Sequence, residues 1–292
     1  MKQAFLITAY KDFDWIEKTV DIYTSGGIDC YIHMDKKTRM PKEFTDWAAE
    51  KEGVFLYSRY KINWGSYKHI SAVLFLIKEA LKNGQYDYFH IISGNSFITR
   101  PIGEVAAFFE KTPDTNYIQM DDLDEIDVDH AIDPWFIYYH FLHWYDKKTE
   151  FGNNFDYYFL KVQSRLGIRR KLRFRYHGLF YSHLSRPFID YALEFVEKNP
   201  WYLRQLKTCN IGEEFFFHNM IMDSPYKDTV KNTSLFYNKW SPGGVAQFLT
   251  EEDYDILMKE DYLFARKFGE GSEELAEHMC QSFAGRKERN AE

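Results

Sequence analysis

The regular alternation of strand-like and helix-like segments in the first 120 residues constrains the fold most. Strand patterns are short apolar runs, whereas helix patterns repeat apolar residues every three to four positions. The predicted strands are QAFLITA (3–9), DCYIHMD (29–35), GVFLYS (53–58), YDYFHIIS (86–93) and NYIQM (116–120). The predicted helices cover 14–27, 66–84 and 102–112. This alternation indicates βαβ units, and therefore an α/β fold with a mainly parallel central sheet flanked by helices.

The chain length of 292 residues fits one large α/β domain. The α/β pattern breaks over 121–177 and resumes with a predicted helix over 186–199, but no segment has the composition of a linker. We therefore predict a single domain, 1–292. Its first half covers about 1–120, its second half about 121–283, and 284–292 forms a frayed tail. In a parallel sheet, the ligand site is expected beyond the carboxyl ends of the strands.

The net charge of -7 argues against a general nucleic-acid binder. One local exception is the basic run near 161–175, which is typical either of a solvated helix or of contact with an anionic membrane surface. The cysteines, Cys30, Cys209 and Cys280, are odd in number and form no CxxC motif, which indicates free thiols. With no signal-like or membrane-spanning run, we expect a cytoplasmic protein, with peripheral membrane contact left open.

The stretch CNIGEEFFFHNMI (209–221) places two glutamates directly before three phenylalanines. Asn210 and Glu213 match a capping box, which predicts a helix from about Ile211. On that helix, Glu214 lies at the margin of an apolar face. A carboxylate there is either an ordinary rim residue or a candidate general base. The pair does not suit a glycoside hydrolase, because adjacent residues of a helix point about 100° apart instead of facing each other across a sugar.

Five segments, in order, resemble blocks of one known family. They are CYIHMDKKT (30–38), INWGSYKHISA (62–72), YFHIISGNSFITRP (88–101), GEEFFFHNMIMDSPY (212–226) and LTEEDYDILMKEDYLFARKF (249–268). The family is the Branch family, the core-2/I-branching N-acetylglucosaminyltransferases and peptide O-xylosyltransferases. The resemblance implies a Rossmann-like nucleotide-sugar transferase fold of the GT-A type. It also implies an inverting enzyme that uses a UDP-sugar, needs no metal or other cofactor, and transfers to a glycan acceptor. On this resemblance, about 1–120 is the nucleotide-binding half and about 121–283 is the acceptor and catalytic half.

The resemblance also implies roles for individual residues. Glu214 falls on the family's catalytic base and Lys267 on the lysine that binds the donor's diphosphate. Asp35 falls on the aspartate that contacts uracil, and Trp64 on a position that lines the nucleotide site. Thr8 aligns loosely with a backbone contact to the nucleotide.

Three departures from the family pattern accompany these matches. Ser96 replaces an aspartate, and Gly212-Glu213 replace Pro-Asp before the base. Phe236 stands where many relatives have an arginine that shares the diphosphate with the lysine. Its possible substitutes are Arg266, Lys239 and Lys231, and we expect Arg266 in the substrate site.

Other functions stay open at this stage. UDP-N-acetylglucosamine is the donor that the resemblance favours, and UDP-xylose is the alternative. Asp122-Leu123-Asp124 and Asp127-Val128-Asp129 each have the form of a metal-binding Asp-x-Asp motif. A non-catalytic carbohydrate-binding protein is a further alternative, because 22 Tyr and 26 Phe supply many rings for stacking on sugars. For His33 and His218, each beside a core segment, structural packing is the favoured interpretation.

Overall fold

A computed structural model describes residues 1–125, 133–171, 174–242, 244–259 and 261–289. The strands are β1 (Gln3–Ala9), β2 (Asp29–Met34), β3 (Val54–Tyr57), β4 (Tyr88–Ser93), β5 (Ser96–Ile98), β6 (Asn116–Tyr117), β7 (Asp121–Asp122), β8 (Tyr176–His177), β9 (Ser182–Ser185), β10 (Val230–Lys231), β11 (Phe236–Asn238) and β12 (Phe264–Arg266). The helices are α1 (Phe13–Ser25), α2 (Lys42–Glu50), α3 (Lys68–Asn83), α4 (Ile102–Glu110), α5 (Asp133–Ile137), α6 (Glu150–Arg165), α7 (Arg186–Lys198), α8 (Pro200–Leu206), α9 (Glu213–Met222), α10 (Tyr254–Lys259) and α11 (Glu273–Arg289).

The central sheet has seven strands in the order β10-β6-β9-β4-β1-β2-β3. Strands β1 to β4 are mutually parallel, β6 and β10 are parallel to each other, and β9 runs antiparallel to β4 and β6. A smaller sheet, β11-β12-β5, and a two-stranded ribbon, β7-β8, complete the strands of the described residues. The predicted α/β fold with a mainly parallel central sheet is confirmed.

Two apolar layers cover the central sheet. One layer packs α1, α2, α4 and α11 against the sheet, and the other packs α3, α7 and α9. The strands therefore lie between helices on both faces, which explains why their sequences are nearly continuous apolar runs. Helix α9 is itself buried almost all round, because Phe215 to Ile221 are all buried. The prediction that this helix has one apolar face, with Glu214 at its margin, is therefore wrong.

Two predicted helix starts are also wrong. Helix α3 begins at Lys68, with no side-chain cap, and the Ser66 hydroxyl is buried without a partner. Helix α9 begins at Glu213 and not at Ile211, again without a side-chain cap. The physical reason is that Ile211 has a φ of 50°, which no right-handed helix accommodates.

The structure also contains elements that were not predicted, α5 and α8 among them. Helix α2 was not predicted, and α11 runs to Arg289, into the segment expected to fray. Within the residues that the structure describes, no helix combines the length and apolar character needed to cross a bilayer.

Candidate active site

A cavity of about 510 Å³ opens at the carboxyl ends of the parallel strands. Its wall includes Thr8 near the end of β1, Asp35 directly after β2, and Ser93 at the end of β4. Because β1, β2 and β4 are parallel neighbours, their ends meet at one edge of the sheet. The cavity therefore occupies the place where α/β folds of this kind bind ligands.

A chain of polar contacts crosses the cavity wall from Thr8 to Glu213. His69, in the first turn of α3, lies between them. Its Nε2 is 2.9 Å from Thr8 Oγ1, and its Nδ1 is 3.4 Å from Glu213 Oε1. The other carboxylate oxygen of Glu213 is buried and has no hydrogen-bond partner among the described residues. Glu213, predicted as a helix cap, is therefore a cavity residue, and His69 is a cavity residue that the sequence analysis missed.

Asp35 holds two loops at the cavity edge. Its Oδ1 accepts a hydrogen bond from the backbone N–H of Lys37 (2.8 Å), and its Oδ2 accepts one from Ile62 (3.3 Å). The Lys37 ammonium is 3.8 Å from Oδ2. Because the side chain is only 8% exposed, most of its surface is already committed to these contacts. Asp35 therefore already has a structural role, and any contact with a ligand would be additional to it.

Trp64 lines the cavity and is 47% exposed, so about half of its surface is open to a ligand. The residues on either side fix its loop. The Asn63 amide donates to the carbonyl of Leu142 (2.9 Å). Gly65 has a φ of 71°, and a Cβ there would stand 2.8 Å from Asn210 Oδ1, so glycine is required on both counts.

The small sheet delivers the basic side of the cavity. Arg266 ends β12, Lys267 follows it, and both line the cavity. The Arg266 guanidinium lies 4.5 Å from the Tyr181 ring centroid, while its Nε is buried without a partner. Burial, followed by the charges of Arg266, Lys148 and Lys11, lowers the pKa of Lys267. Among the described residues, no carboxylate forms an ion pair with Arg266 or Lys267, so this charge is available to an anion.

The three cations considered as substitutes for the missing arginine have different surroundings in the structure. Phe236 is buried and stacks on Phe264, 5.1 Å between ring centroids. Lys239 is paired with Asp253 at 2.9 Å, and Lys231 is an exposed residue of β10. Of the three cations, only Arg266 is among the residues that line this cavity.

Glu214 stands beside the cavity but is not part of its described lining. Its Oε2 lies 2.8 Å from His177 Nε2, and its side chain is 28% exposed. Burial raises the pKa of Glu214, while the hydrogen bond and charge of His177 act against that increase, as does the charge of Arg266. A carboxylate with one oxygen held and a raised pKa has the properties of a general base.

The two histidines beside core segments are both fully buried. Burial lowers the pKa of His33 to about 4 and that of His218 to about 3. His33 Nε2 accepts from the backbone N–H of Tyr60 (3.0 Å), and His218 Nε2 lies 3.0 Å from the carbonyl of Leu179. These contacts agree with the packing roles expected for them.

The Asp-x-Asp motif at Asp122 and Asp124 lies elsewhere, at the β7-β8 ribbon. Asp122 forms a two-point ion pair with Arg175, with contacts of 2.6 and 2.9 Å, and this contact lowers its pKa. Neither aspartate lines the cavity, and the described residues contain no group of three His, Cys, Asp or Glu side chains able to hold a metal. Asp127 and Asp129 lie outside the described residues.

The profile of the family described as "Core-2/I-Branching enzyme" matches residues 3–261. The chain belongs to this family. The predicted family is thereby confirmed, and with it the class of enzyme, a glycosyltransferase. Its Branch-family match spans both halves of the chain, from β1 through α10. No curated protein sequence gives a significant match.

Solved structures show distant similarity to this Branch-family chain. One is a glycosyltransferase involved in glycosylation of the major capsid of PBCV-1, with 10% identity, 95% of this chain and 98% of that chain covered, and a TM-score of 0.36. Another is the glycosyltransferase GlyE of Streptococcus pneumoniae TIGR4, with 10% identity, 92% and 55% coverage, and a TM-score of 0.34. A third is S. aureus TarS 1-349 in complex with UDP-GlcNAc, with 12% identity, 45% and 38% coverage, and a TM-score of 0.32. The chain thus spans about two fifths of that TarS fragment.

Proposed function

We propose that this Branch-family chain is an inverting glycosyltransferase that moves N-acetylglucosamine from UDP-N-acetylglucosamine to a glycan hydroxyl. One observation carries the proposal. Thr8, Asp35, Trp64, Arg266 and Lys267, separated by as many as 259 positions in the sequence, line one cavity at the carboxyl ends of the sheet. These are the five residues for which the family resemblance or its missing arginine implied a donor contact.

In the proposed reaction the donor's diphosphate lies against Arg266 and Lys267. As the bond from the sugar to UDP breaks, negative charge grows on the diphosphate, and fixed cations stabilise that charge. Arginine offers a two-pronged donor and lysine a compact charge, so together they replace the family's usual pair. The proposal uses no metal, since Asp122 and Asp124 are committed to Arg175 away from the cavity.

Glu214 is the proposed base. It removes the proton from the acceptor hydroxyl as that oxygen attacks the anomeric carbon from the side opposite UDP, which inverts the configuration there. His177 holds one carboxylate oxygen and thereby orients the other. The support is the place of Glu214 in the GEEFFF block and its raised pKa next to a cavity cation.

A second candidate base is Glu213, on a specific observation. Its carboxylate lines the cavity, and one oxygen there has no partner. Its drawback is its contact with His69, which ties it to the wall of the cavity. The two assignments differ only in which glutamate removes the proton from the acceptor hydroxyl, and substitution of each glutamate separates them.

The test of the donor is calorimetric titration of the protein with UDP, UDP-N-acetylglucosamine, UDP-xylose and UDP-glucose. We expect UDP to bind and UDP-N-acetylglucosamine to bind best. Preference for UDP-xylose would favour the xylosyltransferase alternative. Binding of a glycan without any binding of UDP would instead identify a carbohydrate-binding protein.

The cellular setting belongs to the same proposal. The three cysteines are all free, and two of them are buried, which fits the reducing cytoplasm. The acceptor is a glycan or glycosylated molecule, and the basic run 161–175 contacts a membrane surface.

A further inference from the structure

Helix α6 packs on the rest of the protein through its polar side. Its buried residues are Gly152, Asp156 and Gln163. Gln163 exchanges two hydrogen bonds with the backbone of Tyr139, at 2.8 and 2.9 Å, and Asp156 pairs with Lys147 at 3.1 Å. A surface helix of a globular protein normally buries its apolar stripe instead. The orientation of α6 therefore leaves most of its apolar residues exposed.

These outward residues form one continuous stripe. Phe151, Phe155, Tyr158 and Val162 follow at spacings of four, three and four residues, which places them on one face of the helix. They are 75%, 44%, 64% and 51% exposed. Leu166, at 68%, continues the stripe past the end of the helix. Such a contiguous apolar surface marks an interaction site.

Aromatic contacts extend the stripe into the preceding loop. Trp144, 75% exposed, stacks on Phe141 with 4.8 Å between ring centroids. Phe141 contacts Phe159, and Phe159 stacks on Phe155 at 5.9 Å. Tryptophan and tyrosine favour the boundary between the lipid headgroups and the hydrocarbon of a bilayer.

The charges beside the stripe indicate which kind of partner binds it. Lys161, Arg165, Arg169 and Lys171 are exposed, whereas Glu150 is the one exposed carboxylate between 150 and 171. A second copy of this chain would bring like charges together, which opposes self-association. A soluble polyanion would pair with the charges but leave the aromatic stripe in water. An anionic bilayer takes both, because its surface attracts the cations and its interior accepts the rings.

We propose that α6, together with the aromatic residues that extend its stripe to Trp144, lies on an anionic membrane surface. This deepens the membrane contact of the proposed function and identifies the aromatic stripe, in addition to the basic run, as the contact. Thr149 caps α6, and Asp146 and Lys148 just before it line the cavity. The cavity thus opens beside the membrane-bound end of the helix. This placement suits an acceptor that is a membrane-tethered glycan, a conclusion that rests on the proposed function.

The test is cosedimentation of the full-length protein with two kinds of vesicle, one of phosphatidylcholine and one of equal parts phosphatidylcholine and phosphatidylglycerol. We expect binding to the anionic vesicles that weakens with added salt. The charge variant Lys161→Glu/Arg165→Glu and the aromatic variant Phe151→Ser/Tyr158→Ser should each lower the partition coefficient about tenfold or more. Trp201→Ser, at an exposed aromatic of α8, is the matched control and should bind like wild type.

Three results would overturn the inference. One is the absence of binding of folded wild-type protein to anionic vesicles. Another is equal binding to both kinds of vesicle. The third is a dimer in analytical ultracentrifugation that the aromatic variant abolishes, which would assign the stripe to a second copy. Circular dichroism checks that each variant is folded. UDP titration of the same variants should match wild type, so loss of membrane binding and loss of the donor site are separate outcomes.

Discussion

Glu213 and Glu214 are consecutive residues in the first turn of α9, yet their carboxylates reach different surroundings. Glu213 turns toward the donor cavity and His69, with 3.4 Å between Oε1 and Nδ1. Glu214 turns toward His177, with 2.8 Å between Oε2 and Nε2. The rotation of about 100° per helical residue separates them. This difference makes the two glutamates matched controls for each other.

Glu214→Gln should lower the transfer rate by about 10² to 10⁴ while leaving UDP affinity and the melting temperature close to wild type. The physical reason is that glutamine keeps the size of the side chain but does not remove a proton. Initial rates and calorimetry on the same preparation check this. Glu213→Gln is the control, with a much smaller expected loss of rate. The reverse order of the two effects would transfer the role of base to Glu213.

The pH dependence of transfer should report the same carboxylate. Burial raises the pKa of Glu214 above the ordinary value of 4.5, so its base form is lost, as pH falls, earlier than for an exposed glutamate. The rate should therefore fall on the acid side with a midpoint above 4.5. For folding the sign is opposite: a raised pKa favours the protonated native form, so this group opposes folding as pH rises through that pKa. An acid limb that Glu214→Gln leaves unchanged would contradict the assignment.

Lys267→Met should weaken UDP binding at least about tenfold without lowering the melting temperature of the free protein. The lysine lies among Arg266, Lys148 and Lys11, whose charges lower its pKa, so removing it relieves repulsion in the empty cavity. Calorimetry and a thermal melt measure the two effects. EDTA should change neither affinity nor rate. Activity lost in EDTA and restored by Mn²⁺ would support the metal-dependent alternative instead.

Asp35→Ala should weaken UDP binding more than Asp35→Asn, and it should also lower the melting temperature. Alanine removes both acceptors for the N–H groups of Lys37 and Ile62, whereas asparagine keeps one oxygen. Asp146→Asn is a useful control, because Asp146 also lines the cavity and pairs with Lys37 at 3.3 Å. If UDP affinity is the same in Asp35→Asn and wild type, the carboxylate serves the loops alone.

The carboxyl-end location of the site was predictable from the sequence because it depends on local pattern. The runs of β1, β2 and β4 are mostly apolar over their six or seven residues, and helical segments between them require parallel strands. Asp35, the first residue after β2, therefore had to stand at that edge. Lys267 was identified only through its family motif, because no local pattern connects it with a strand end some 230 residues earlier.

Tertiary structure decided what local pattern does not encode. Asn210 and Glu213 match a capping box in sequence, but contacts to distant segments override it. The Asn210 N–H donates to Trp135, the Ile211 N–H donates to Gly65, and Ile211 takes a left-handed conformation, so α9 starts two residues later. With this later start, Glu213 is the first residue of α9 and lines the cavity.

The orientation of α6 shows the same limit. The basic run near 161–175 is typical of a solvated helix, but the sequence does not state which face of α6 is buried. In the structure the polar side faces inward, where Asp156 accepts a hydrogen bond from His140 and Gln163 donates one to the carbonyl of Tyr139. The sequence by itself therefore determined the alternation of strands and helices in the first 120 residues, because their periodicity is local. The assembly of the cavity and the exposure of the aromatic stripe depended on contacts between segments far apart in the chain, which only the folded structure defines.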